Sequence, residues 1–200
     1  MCAAEPSSQQ ESLMNRREFA LSTAVGLALP ARAQAPGFWT LLREGGCVVL
    51  MRHAQTEPGV GDPPNFKLGE CGTQRNLSEV GREQARRVGA AFTRERVKLD
   101  QVRSSVWCRC VDTAMLAFKQ NTVWPPINSF FGGGQDEQTR AVLAAVEGWQ
   151  APRNLMLVTH QINISALTGE FLTMGEVFVT RPGSQGSHAN RLRVLARQTF

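Results

Sequence analysis

The sequence predicts an α/β fold, a three-layer α/β/α sandwich around a mainly parallel central sheet, and three observations predict it. Apolar runs of strand length alternate with longer segments of helical periodicity, the pattern that covers a parallel sheet with helices. Two of the runs, "CVVLM" at 47–51 and "NLMLVT" at 154–159, are apolar almost throughout, as strands buried on both faces are. Gly and Pro clusters punctuate the pattern where turns are needed.

The elements follow in order. Residues 38–46, "FWTLLREGG", form a short amphipathic helix stopped by Gly45 and Gly46, and the strand 47–51 begins at once. Residues 57–76 are too polar and too broken by Gly and Pro for regular structure, and loops of that length in compact domains tend to carry function. Ser78 caps a helix over 78–96 whose Val80, Ala85, Val88, Gly89 and Phe92 can share a face. A strand at 99–105 leads into a helix over 107–120, with Val111, Ala114, Met115 and Phe118 at core spacing. Pro125 and Pro126 interrupt regular structure, and a third long helix at 136–149 opens on acidic residues, as the helix dipole favours. The strand at 154–160, a short helix at 162–169 and two strands at 176–180 and 190–196 complete the chain.

Two hundred residues with 42% hydrophobic and 20% charged content suit one globular domain. The net charge of +5 favours anionic partners, but the basic residues are scattered singly or in pairs. Tyrosine is absent, so the interleaved basic and aromatic surface of single-strand binding is missing. Small anionic molecules are expected, and nucleic acid is not.

Residues 1–35 are read apart from the domain at 36–200. From Met14, "MNRREFALSTAVGLALPARAQA" pairs Arg16 and Arg17, runs apolar from Phe19 to Leu29 and ends in small residues, the layout of a secretory signal. The Arg-Arg-x-Phe order is similar to a twin-arginine signal, and the apolar run is too short to span about 30 Å of hydrocarbon. Export to the periplasm or beyond, engagement of export machinery, no stable membrane insertion and a true start at Met14 are the expectations. An oxidising compartment then permits disulfides among Cys47, Cys71, Cys108 and Cys110. Cys47, inside an apolar strand, reads as a buried thiol, and a bridge from Cys71 to Cys108 or Cys110 is preferred.

The chemistry-bearing residues collect at one sheet edge. "VVLMRH" and "LMLVTH" each end a strand on a histidine, so His53 and His160 converge at the carboxyl edge, where ligands of parallel sheets bind. Arg52 ends a buried strand, where an unpaired charge is costly, and Arg109 lies early in the helix after the second strand. Arginine suits two-pronged recognition of phosphate oxygens, and a helix amino terminus adds oriented N–H groups. Thr56, Arg75 and Gln161 are further candidates for binding substrate, while His188 in a Gly/Ser loop reads as solvated. A metal site built from Cys108, Cys110, His53 and His160 lacks the paired spacing of structural zinc, so neither metal nor cofactor is expected.

These segments resemble the histidine phosphatase, or phosphoglycerate mutase-like, superfamily. "LMRHAQT" is similar to its Arg-His-Gly motif with Ala54 in the glycine position, and "LSEVGREQA" to its next helix start. "SSVWCRCVDTA" and "LVTHQINISALTG" resemble its second-arginine and second-histidine motifs. The closest likeness is to small exported members, including lipopolysaccharide core heptose phosphate phosphatases. The resemblance implies hydrolysis of a phosphomonoester through a phosphohistidine on His53, with Arg52, Arg109 and His160 cradling the phosphoryl group. It implies a small phosphorylated substrate, an envelope sugar phosphate among the options. It also places a carboxylic acid near the start of the third long helix, where Asp136 is preferred narrowly over Glu137, with Glu57 and Glu176 more distant. A phosphate-binding pseudoenzyme and a phosphomutase of the same fold are the alternatives.

Overall fold

The computed structural model describes residues 37–59, 61–130, 133–183 and 191–200. The leader and His188 lie outside them. Helix α1 (Phe38–Glu44) leads into strand β1 (Val48–Arg52), and α2 (Glu79–Arg94) precedes β2 (Gln101–Ser104). Then come α3 (Cys108–Phe118), the short β3 (Thr122–Val123), α4 (Gln135–Val146) and β4 (Leu155–Thr159). Helix α5 (Gln161–Thr168), β5 (Val177–Pro182) and β6 (Leu192–Gln198) follow. The strands form one sheet in the order β3-β2-β4-β1-β5-β6. β1, β2, β3 and β4 pair in parallel, while β5 and β6 add an antiparallel edge. The expected α/β/α architecture is therefore the observed one.

Alternation along the strands sorts the core into two layers. Val49 and Met51 of β1, with Met156 and Val158 of β4, pack against Leu42 of α1, Val88 and Phe92 of α2, and Ala114 of α3. Val48, Leu50, Leu155 and Leu157 face the other way, onto Val142 and Val146 of α4 and Ile164 and Leu167 of α5. Successive side chains on a strand point to opposite faces, so runs apolar at every position are what a doubly covered sheet requires.

Two helix faces differ from expectation. Val80 and Met115 are exposed, and the faces instead bury Gly81 on α2 and Cys110, Thr113 and Ala117 on α3. The reason is a close approach: a methyl at Gly89 would overlap the backbone carbonyl of Ala117, so α2 and α3 meet through small residues. Sequence periodicity weights the larger apolar residues and so turns the predicted face away from the true one. Ser78 does cap α2, accepting from Gly81 N at 3.1 Å. Thr122–Val123, only two residues long, carried no readable strand pattern.

Candidate active site

The register of β1 against β4 builds the site. Arg52 pairs with Thr159, so the next residues, His53 and His160, leave the sheet side by side. Their rings lie 5.5 Å apart, centroid to centroid, and both are buried. His53 N donates to Thr159 O at 3.0 Å, while His53 Nδ1 stands 2.9 Å from Ala54 O. A carbonyl can only accept, so Nδ1 carries the hydrogen and Nε2 keeps its lone pair free. Burial, followed by the charges of Arg109, Arg52 and Arg75, lowers the His53 pKa to about 3 against the pull of the Ala54 hydrogen bond. The imidazole is thus neutral at neutral pH. His160 Nε2 lies 2.9 Å from Ser105 Oγ, which also reaches Asn128 Oδ1 at 3.1 Å, and this buried seam fixes the ring. Burial, then His53, Arg109 and Arg52, hold its pKa well below the usual range.

The charges of Arg109, Arg52 and Arg75 bear on His53, and those of Arg109 and Arg52 also on His160. Arg52 Nη1 donates to Leu172 O at 3.0 Å, and Arg75 Nη1 to Gly59 O at 2.7 Å. Arg109, in the first turn of α3, lies over the Trp107 ring at 4.6 Å and donates from Nη1 to Asp62 Oδ1 at 2.9 Å. The Nε atoms of Arg52, Arg75 and Arg109 are all buried without a partner among the described residues. Buried donors are normally satisfied, and three such N–H groups are chemically suited to accept an oxyanion. Arg75, a substrate-binding candidate from sequence, contributes its charge here: it acts on both Arg52 and His53.

Comparison with known proteins bears on this geometry. Residues 48–128 match the histidine phosphatase superfamily (branch 1). The matched stretch contains Arg52, His53, Arg75 and Arg109, and His160 lies beyond it. A search of curated proteins returns no match. Among solved structures, the protein histidine phosphatase SixA complexed with tungstate aligns at TM-score 0.54 and 14% identity, over 76% of this chain and 96% of that one. A mycobacterial glucosyl-3-phosphoglycerate phosphatase aligns at TM-score 0.51 and 16% identity, over 77% of this chain and 97% of that one. A Mycobacterium tuberculosis open reading frame product aligns at TM-score 0.55 and 15% identity, covering 75% and 95%. At such identities the likeness shows the fold alone: a mainly parallel sheet covered by helices on both faces.

The remaining candidate residues divide. Asp136 and Glu137 sit exposed in the first turn of α4, and neither contacts His53, His160 or the three arginines among the described residues. Asp136 instead lines a surface groove with Thr139, Arg140, Glu147 and Arg191. Glu176 is committed elsewhere, accepting from Thr173 N and Oγ1 and pairing with Arg197 at 3.0 Å. Thr56 turns its hydroxyl to Met174 Sδ at 3.9 Å. Gln161 ties α5 to the segment beside Arg52, donating to Glu170 O at 3.2 Å and accepting from Leu172 N at 2.9 Å. It supports the carbonyl that holds Arg52. Cys71 and Cys108 form the disulfide, which removes Cys108 from any metal donor set. Cys47 is a buried thiol as expected, and so is Cys110, whose Sγ lies 3.5 Å from His160 Nε2. Burial pushes the Cys110 thiol up to about 12.

Sequence reading missed two participants. Asp62 was absorbed into a turn, because Gly-Asp-Pro reads as loop chemistry. Ser105 sat at the end of a strand with no periodic signal. Asp62 had one faint mark, since residues 57–76 hold only three acidic residues.

Proposed function

We propose that this chain is a metal-independent phosphatase that hydrolyses a phosphomonoester through a phosphohistidine on His53. The observation that carries the proposal is the free Nε2 of a neutral, buried His53 set among three guanidinium groups with unpartnered Nε atoms. Phosphoryl transfer demands positioning and charge stabilisation more than covalent help from the protein. Arg52, Arg75 and Arg109 bind the equatorial oxygens, and His160 supplies a second imidazole to the same group. Attack of Nε2 on phosphorus forms the P–N bond as the ester P–O bond breaks, the leaving oxygen taking the electron pair and a proton. Water then attacks phosphorus, releases inorganic phosphate and returns Nε2. For the proton donor, the acidic start of α4, Asp136 or Glu137, stays the proposal, supported by the family resemblance alone.

Export, and an envelope sugar phosphate as substrate, belong to the same proposal. The Arg16-Arg17 segment supports export, and the Cys71–Cys108 bridge adds support because disulfides persist in oxidising compartments. The heptose phosphate branch rests on sequence resemblance.

The test is an incubation with an aryl phosphate, with the phosphoenzyme trapped under alkaline quench. Turnover and an acid-labile phosphate on His53 are expected. Absence of both overturns the enzyme, and turnover that persists in His53→Ala overturns the nucleophile.

A further inference from the structure

We propose that Asp62 is a positioning residue of the phosphate cradle: its carboxylate fixes the guanidinium of Arg109 so that the Nε edge faces the oxyanion. The inference rests on the reading of the site as a phosphate cradle. Asp62 Oδ1 accepts from Arg109 Nη1 and from Arg75 N, each at 2.9 Å. Both side chains of the ion pair are buried, 4% exposed for Arg109 and 3% for Asp62. A guanidinium is planar and carries its donors in a rigid fork. Arg109 is stacked on Trp107 through one face and held at Nη1 by Asp62 and, at 3.4 Å, by Arg75 O. With one face and one corner fixed, the direction of the remaining edge is set, and its Nε is the buried donor left without a partner among the described residues.

Charge gives the same assignment. Arg52, Arg75 and Arg109 all bear on His53, and burial, then Arg75, lowers the pKa of Arg52, so the three like charges repel one another. Asp62 sets one negative charge among them, and its influence reaches Cys110, which touches His160. Because Asp62 Oδ1 also takes the backbone N–H of Arg75, one carboxylate oxygen places two of the three arginines.

A simple loop tether makes a different prediction, and Gln74 supplies the control. It too is buried, lies on the same loop and bonds the same helix start, but through the backbone: Gln74 Oε1 accepts from Cys108 N at 3.0 Å. Binding of inorganic phosphate to the full, oxidised chain would be measured by calorimetry for wild type, Asp62→Ala, Asp62→Asn and Gln74→Ala. Asp62→Ala is expected to weaken phosphate about tenfold or more, and Asp62→Asn, which keeps an oxygen for both donors, by less. Gln74→Ala is expected to stay within about twofold. In turnover of an aryl phosphate, Asp62→Asn should raise KM more than it lowers kcat. If Asp62→Ala does not fold, Asp62→Asn carries the test, with about threefold weakening as its threshold. Wild-type affinity in the Asp62 variants, or equal weakening in Gln74→Ala, overturns the inference. Phosphate binding without turnover would overturn the enzymatic proposal and leave Asp62 measurable, whereas a wild type that binds no phosphate overturns both.

Discussion

At the residue scale, one hydrogen bond decides the chemistry of His53. Nδ1–H is held by Ala54 O, so Nε2 is the nitrogen left to react. On the proposed mechanism, replacing His53 by Ala should remove the phosphoenzyme and lower kcat by at least about 10³-fold, as loss of a nucleophile does elsewhere. Mass spectrometry of the trapped enzyme and steady-state rates would both report it. The sequence pointed to Arg52, His53, Arg109 and His160 because each stands at the end of a strand or the start of a helix. Ala54, the departure from the family pattern, is buried and packs its methyl with Leu77 and Ala85, so the substitution costs the backbone nothing visible. Asp62 stayed hidden because a lone acid in a loop is defined only by the distant arginine it meets.

At the element scale, α2 is pinned by two glycines. A methyl at Gly81 would overlap Gln55 O, and one at Gly89 would overlap Ala117 O. Gly→Ala ordinarily stabilises a helix interior by about 1 kcal/mol, but overpacking against backbone costs about 1–3 kcal/mol. Gly89→Ala should therefore lower Tm, measurable by thermal denaturation, and a higher Tm would mean that α2 can shift off α3. The loop 57–76 is held to α3 by the Cys71–Cys108 bridge as well as by Asp62 and Gln74. Closing 37 residues of chain, the bridge should contribute about 2–4 kcal/mol. Cys71→Ser is expected to lower the urea midpoint.

At the scale of the whole molecule, two buried histidines held neutral first by burial and then by nearby charges, arginines among them, make folding sensitive to acid. Their folded pKa values lie below the usual histidine value near 6.5, so the unfolded chain binds more protons as pH falls. Stability is thus complete above about pH 6.5 and is lost progressively toward pH 3, by an amount on the order of a few kcal/mol for His53. Urea unfolding at a series of pH values should show that slope, and His53→Ala should flatten it. A flat profile in the wild type would mean that His53 is solvated and protonates freely.

The sequence by itself determined the alternation of strands and helices, the doubly buried strands, and the four residues set at strand ends and a helix start. Those are local facts, written in periodicity and in where a run stops. The tertiary structure alone decided that Arg52 pairs with Thr159, which brings two distant histidines into contact. It alone selected Cys108 over Cys110 for Cys71, and brought Asp62 to Arg109. Register, close approach through glycine and a buried ion pair are relations between segments, and no property of either segment alone fixes them.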